Sequence, residues 1–125
     1  MWKTHAICFA KAVKLLQPRG TIIVTTPNIE NPLSLALHLR AGHFQWFNDV
    51  NYRNNGHISP LSHWILKRCL VESSLELVEE HSFGDPFRGI TWRKLFMLGR
   101  LIQEFSALPA TLQGEIYVLV GQRTA

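Results

Sequence analysis

The chain has 125 residues, 46% hydrophobic and 18% charged, too apolar for a disordered tail and the right length for one small domain. No apolar run approaches the roughly 20 residues of a membrane-spanning helix, and two cysteines are too few for a disulfide scaffold. Lysine and arginine number 13 against 9 acidic residues, a formal charge of +4. The basic residues are dispersed in pairs such as Lys67–Arg68 and Arg93–Lys94. A nucleic-acid interface gathers them on one face or arm, so nucleic acid is not an expected partner.

In chain order, Trp2, Ala6, Phe9, Ala10, Val13 and Leu16 recur at three- and four-residue steps, which predicts an amphipathic helix. Lys11 and Lys14 interrupt its apolar character, favouring a structural helix over a cleaved signal. Gln17-Pro18-Arg19-Gly20 stops it. The β-branched run Thr21–Thr26 then reads as a strand buried on both faces, as in a parallel sheet.

Asn31-Pro32 has the chemistry of a helix cap followed by Pro at the first helical position, opening a helix from Leu33 to Ala41 that Gly42 closes. Residues 43–56, rich in Asn and aromatics, read as a long loop of functional type. Ser59-Pro60 or Ser62 caps the next helix, which carries Trp64, Leu66 and Leu70. The alternation Leu75–His81 predicts a strand with one exposed face, and residues 84–89 a loop. Residues 90–108 are apolar at helical spacing up to Pro109, and Glu115–Val120 is the last strand. No repeat or linker divides the chain, so residues 1–125 are expected to form a single domain of α/β class.

This order, with three local motifs, resembles the C-terminal half of class I S-adenosylmethionine-dependent methyltransferases. Leu16-Gln17-Pro18-Arg19-Gly20 is similar to the family's turn before its fifth strand. Thr26-Pro27-Asn28 is similar to that strand's end, and Gly56-His57-Ile58-Ser59-Pro60 to a segment before a later helix. The resemblance implies a partial Rossmann-like sheet whose three strands correspond to the family's fifth, sixth and seventh, with flanking helices. The last strand would be the antiparallel seventh, inserted between the other two.

It also implies S-adenosylmethionine as cofactor and methyl transfer to a small-molecule or lipid acceptor. The family seats its cofactor on a glycine-rich loop, yet the eight glycines here include no G-x-G. No cofactor-binding residue is therefore assigned, and the chain alone is expected to be weakly active or inactive. Arg19 and Ser73-Ser74 stand where the family prefers glycine, so strained turns are expected there.

Thr26, Pro27 and Asn28 lie where open α/β sheets bind ligands, and are either a pocket rim or a strand-ending turn. His57 is the acid–base candidate, with a loop-bonding or helix-capping imidazole as the plainer reading. Phe44, Trp46 and Tyr52 are expected to line an apolar acceptor pocket or to pack in the core, and Asp49 to orient an acceptor hydroxyl. His38 with His43, and His57 with His63, lack the spacing that brings two rings onto one helical face, so no metal is assigned. Cys8 and Cys69 are expected as reduced, buried thiols, with one disulfide as the alternative.

The first expectation for function is thus a methyltransferase-like protein. The second is a non-catalytic binding or membrane-peripheral module of the same fold. An open strand edge implies a homodimer or a complementing chain as partner. A cytoplasmic location is expected, with peripheral membrane contact through 90–108 as an addition.

Overall fold

The computed structural model describes residues 9–55 and 60–124. Cys8, His57 and the first half of the N-terminal helix lie outside the described residues. Residues 9–14 are helical (α1). Among the described residues three strands form one sheet: β1 (Thr21–Pro27), β2 (Leu75–Phe83) and β3 (Ile116–Arg123), in the order β1-β3-β2. Both pairings with β3 are antiparallel, so β1 and β2 run in the same direction without touching.

The expectation that Thr21–Thr26 is buried on both faces of a parallel sheet is corrected by this pairing. Ile22 and Val24 pack beneath α1, whereas Thr21, Ile23 and Thr25 are exposed. The β-branched run hid the alternation because threonine and isoleucine suit an exposed strand face as well as a buried one. β2 extends two residues past His81 and is mostly exposed, and a register shift between Leu77 and Glu79 turns Leu77 and Val78 outward together.

Helix α2 (Pro32–Ala41) is set by its ends. The Asn31 side chain accepts from the Ser34 N–H, Pro32 fills the first turn, and Gly42 closes it at φ 82°. Residues 43–56 are not all loop: Asp49–Asn55 form a short helix, α3, and the Asn48 side chain accepts the Asn51 N–H at its start. Ser62 caps α4 (His63–Glu72) through Ile65 N–H. The apolar helix is α5 (Arg93–Phe105), shorter than 90–108 because Ser106 turns the chain towards a 3-10 turn at Ala110–Leu112. Arg19 (φ 65°) and Ser74 (φ 60°) are left-handed, the strain expected where two turns lack glycine.

The apolar side chains gather in two places. Leu66 and Leu70 of α4 pack with Leu75, Tyr117 and Leu119 on the sheet face that α1 also covers. Leu33 and Ala36 of α2 pack with Phe87 and Leu95, joining α2 to α5. Gly99 makes the second cluster possible, since a Cβ there would lie 2.7 Å from Phe87 Cε1.

Candidate functional site

The site forms where β1 ends. The chain turns at Asn28, and that side chain is 1% exposed. Its Nδ2 donates to the carbonyls of Leu112 (2.9 Å) and Gly114 (2.7 Å). Two acceptors on one side fix the amide's orientation, so Oδ1 faces the other way. There it accepts the Glu30 N–H at 3.2 Å and stands 2.7 Å from His63 Nε2. Nε2 must therefore carry the proton. The opposite nitrogen, Nδ1, lies 3.0 Å from Glu30 Oε2, an oxygen that also accepts the His63 backbone N–H at 2.9 Å.

The His63 ring, with a side chain 7% exposed, stacks on Tyr117 at 3.9 Å between centroids. Burial pulls its pKa below the ordinary imidazole value, against the opposing pull of the Glu30 and Glu80 carboxylates, while Lys67 adds to the lowering. Behind the stack, Tyr117 O–H donates to Glu80 Oε2 at 2.5 Å and Lys67 Nζ lies 2.9 Å from the same oxygen. Burial raises the Glu80 pKa, but the Tyr117 and Lys67 hydrogen bonds, the Lys67 charge and the neighbouring His63 ring outweigh it and hold the carboxyl below its usual range. The Tyr117 hydroxyl is pushed well above the ordinary phenol value by burial and by Glu80.

Glu30 is the member of this network that borders a groove. The groove measures about 540 Å³, and its other lining residues include Leu35, Leu101, Ile102, Phe105 and Leu108. An apolar trough with one anchored carboxylate suits an amphipathic molecule bearing a hydrogen-bond donor or a cation. The carboxylate is also within reach to accept a proton from such a head group.

The sequence candidates are only partly assembled here. Asn28 is central, as a positioning residue rather than a pocket rim. Thr26 and Pro27 are half-buried in β1 next to it. Phe44 stacks on His38 at 4.3 Å, at the far end of α2, and Tyr52 is exposed on α3. Trp46 sits in a left-handed turn, φ 72°, beside Gln45, whose N–H bonds Ser34 Oγ and whose Oε1 accepts from Asn31. Asp49 starts α3. Phe44, Trp46 and Tyr52 are thus not the groove's lining, which comes from Glu30, from α2 and α5, and from the segment that follows α5. Glu30 and His63 were missed as a pair because only the fold brings them together. Cys69 is a buried thiol whose pKa burial raises. Among the described residues no three His, Cys, Asp or Glu side chains gather closely enough to hold a metal.

No family model matches the chain, and no curated protein matches it. The cofactor implied by the sequence resemblance is therefore judged on the residues themselves. S-adenosylmethionine needs bare backbone amides at a strand end and a carboxylate for its ribose. After β1, the Asn28 side chain fills the turn. After β2, Gly84 turns at φ 85°, but its open side meets the Glu115 side chain, 3.1 Å from where a Cβ would stand. The described residues do not fit the cofactor. What they do offer is an apolar groove with an anchored carboxylate.

Proposed function

We propose that this chain forms the acceptor-side, C-terminal portion of a class I S-adenosylmethionine-dependent methyltransferase-like domain. The observation that carries this reading is the sheet order. The last strand lies between the first two and antiparallel to both, while β1 and β2 run parallel to one another. That is the arrangement the resemblance implies for a fifth, seventh and sixth strand, and it supports this reading. Helices α1 and α4, before and after β1, pack on one face, as alternating helices of such a unit do. The groove at Glu30 then holds the acceptor, a small amphipathic molecule or a lipid, by its apolar body. The acceptor's nucleophile lies near the carboxylate, and reaction proceeds by positioning rather than by covalent catalysis. The cofactor's glycine-rich turn comes from residues other than these.

The test uses the protein as its source cells hold it, purified with whatever polypeptide it is bound or joined to. That assembly should become labelled when irradiated with radioactive S-adenosylmethionine, and the 125-residue chain by itself should not. Absence of labelling in both overturns the methyltransferase reading. Turnover by the 125-residue chain alone overturns the division of labour. A second reading, a non-catalytic binding module, is favoured by the misfit of the described residues to the cofactor. It gains if the assembly binds amphipathic ligands but never the cofactor.

A further inference from the structure

Helix α5 presents two unlike sides. Leu95 and Gly99 are buried against α2 and Phe87. Met97, Leu101 and Phe105, spaced by one helical turn each, are 63%, 56% and 83% exposed. They form an apolar row on the outside of the molecule. Residues this large rarely line up in water without a partner.

The charges around the row say what kind of partner. Arg93 and Lys94 occupy the first turn of α5 and are exposed, with no carboxylate partner among the described residues. Cations there oppose the helix dipole, and neither a capping side chain nor an acidic residue offsets them. Next to them, the Arg40 guanidinium lies 5.4 Å over the half-exposed Trp92 ring. Three cations and an indole thus cluster at one end of an exposed apolar row, and Glu104 is the one acid in the helix. No helix among the described residues is long and apolar enough to cross a membrane.

We infer that α5 lies flat on an anionic phospholipid surface. Arg40, Arg93 and Lys94 meet lipid phosphates, Trp92 sits at headgroup depth, and Met97, Leu101 and Phe105 enter the acyl boundary. A unipolar, locally costly cluster of cations is explained by an external anion. A second copy of the chain also carries +4, and its exposed Glu76 and Glu79 on β2 make it the competing occupant that the dimer outcome below detects. The inference stands on α5 and its flank, and holds whether or not the protein transfers methyl groups. Leu101 and Phe105 also line the Glu30 groove, so a docked helix sets that groove beside the lipid.

The experiment is vesicle sedimentation of the full chain, with phosphatidylcholine vesicles compared with vesicles that also contain phosphatidylserine. Binding is expected to the anionic vesicles only, and to fall with added salt. Arg93→Gln with Lys94→Gln should weaken it about fivefold per charge removed. Met97→Glu should abolish it while leaving the far-ultraviolet circular dichroism and melting temperature unchanged, because Met97 is on the exposed side. Leu98 is unsuitable for this purpose, since it packs against the α2–α5 cluster. Equal binding to both vesicle types, or none to either, overturns the inference. So does a concentration-dependent dimer that Met97→Glu dissolves, which would give the row to a second copy instead.

Discussion

Asn28 and His63 lie 35 positions apart in sequence and 2.7 Å apart in space. That contact ties the end of β1 to the first residue of α4. Through the other edge of the Asn28 amide, it also ties both to the Leu112 and Gly114 carbonyls ahead of β3. One side chain therefore sets the distance between the Glu30 loop, the start of α4 and the approach to the central strand. The groove wall depends on all three.

Asn28→Ala removes the partner of two carbonyls, the Glu30 N–H and an imidazole N–H in a buried or half-buried place. Each such group costs about 1–3 kcal/mol when water cannot replace the partner, and local relaxation recovers part of it. A loss of about 3 kcal/mol is expected, read as a lower urea midpoint with an unchanged slope. Asn28→Asp should cost at least as much, because its carboxylate faces the same two carbonyls. A midpoint within experimental error of the parent would remove Asn28 from its role.

Acid should weaken the fold in two stages. His63 holds its proton less readily folded than unfolded, so between those two values the unfolded chain binds more protons and stability rises with pH. That contribution is complete above the ordinary imidazole value of 6.5 and is lost as pH falls from there towards the folded value. Glu80 acts in the same direction, its contribution being present above the ordinary 4.5 and lost as pH falls through its lowered folded value. His63→Gln should remove the upper stage and Tyr117→Phe should shrink the lower one. Unfolding free energies measured across this range decide it; a profile that rises on acidification contradicts the assignment.

The two left-handed turns give a stabilising prediction. Arg19→Gly and Ser74→Gly remove the steric cost of φ 65° and 60°, about 1 kcal/mol each before the extra freedom of glycine in the unfolded chain is subtracted. A gain of some tenths to about 1 kcal/mol apiece should appear as higher melting temperatures. Both turns bond to the chain at the end of β3, Arg19 to Gln122 and Arg123 and Ser74 to Thr124, so the double variant is expected to depart from simple addition. Lower melting temperatures for both would show that side chains there contribute more than they strain.

Gly99→Ala gives the opposite sign. Its Cβ would stand 2.7 Å from Phe87 Cε1 and 3.2 Å from Cζ, so Phe87 must move or α5 must lift from α2. A loss of about 1–3 kcal/mol is expected, the usual range for overpacking. Phe87→Leu in the same chain should recover much of it. Failure of that second change to rescue would place the strain elsewhere.

How much of this was legible beforehand depended on how local the determining chemistry is. The ends of α2 could be read because Asn31, Pro32 and Gly42 act within a turn of themselves. Helix α3 was overlooked because its residues are poor helix formers, although Asn48 followed by Asp49 is a cap and a favourable first-turn acid. The exposed face of β1 could not be read, since Ile23 carries no mark that separates it from Ile22. The Asn28–His63–Glu30 arrangement was beyond reach for a different reason. Nothing within a short window shows that a buried asparagine, a rim carboxylate and the first residue of a later helix will converge. His57, singled out by its neighbours in sequence, lies outside the described residues.

The place of β3 has a consequence for how the protein is born. β1 and β2 share no hydrogen bonds, and each borders only β3 among the described residues. A ribosome makes β1 and β2 long before it makes residues 116–123. Until those residues leave the exit tunnel, both earlier strands wait with unpaired backbones, while α2 and α5 can already dock through contacts made sooner. The nascent chain is therefore expected to fold helices first and sheet last, and to need shielding of Thr21–Pro27 for most of its synthesis.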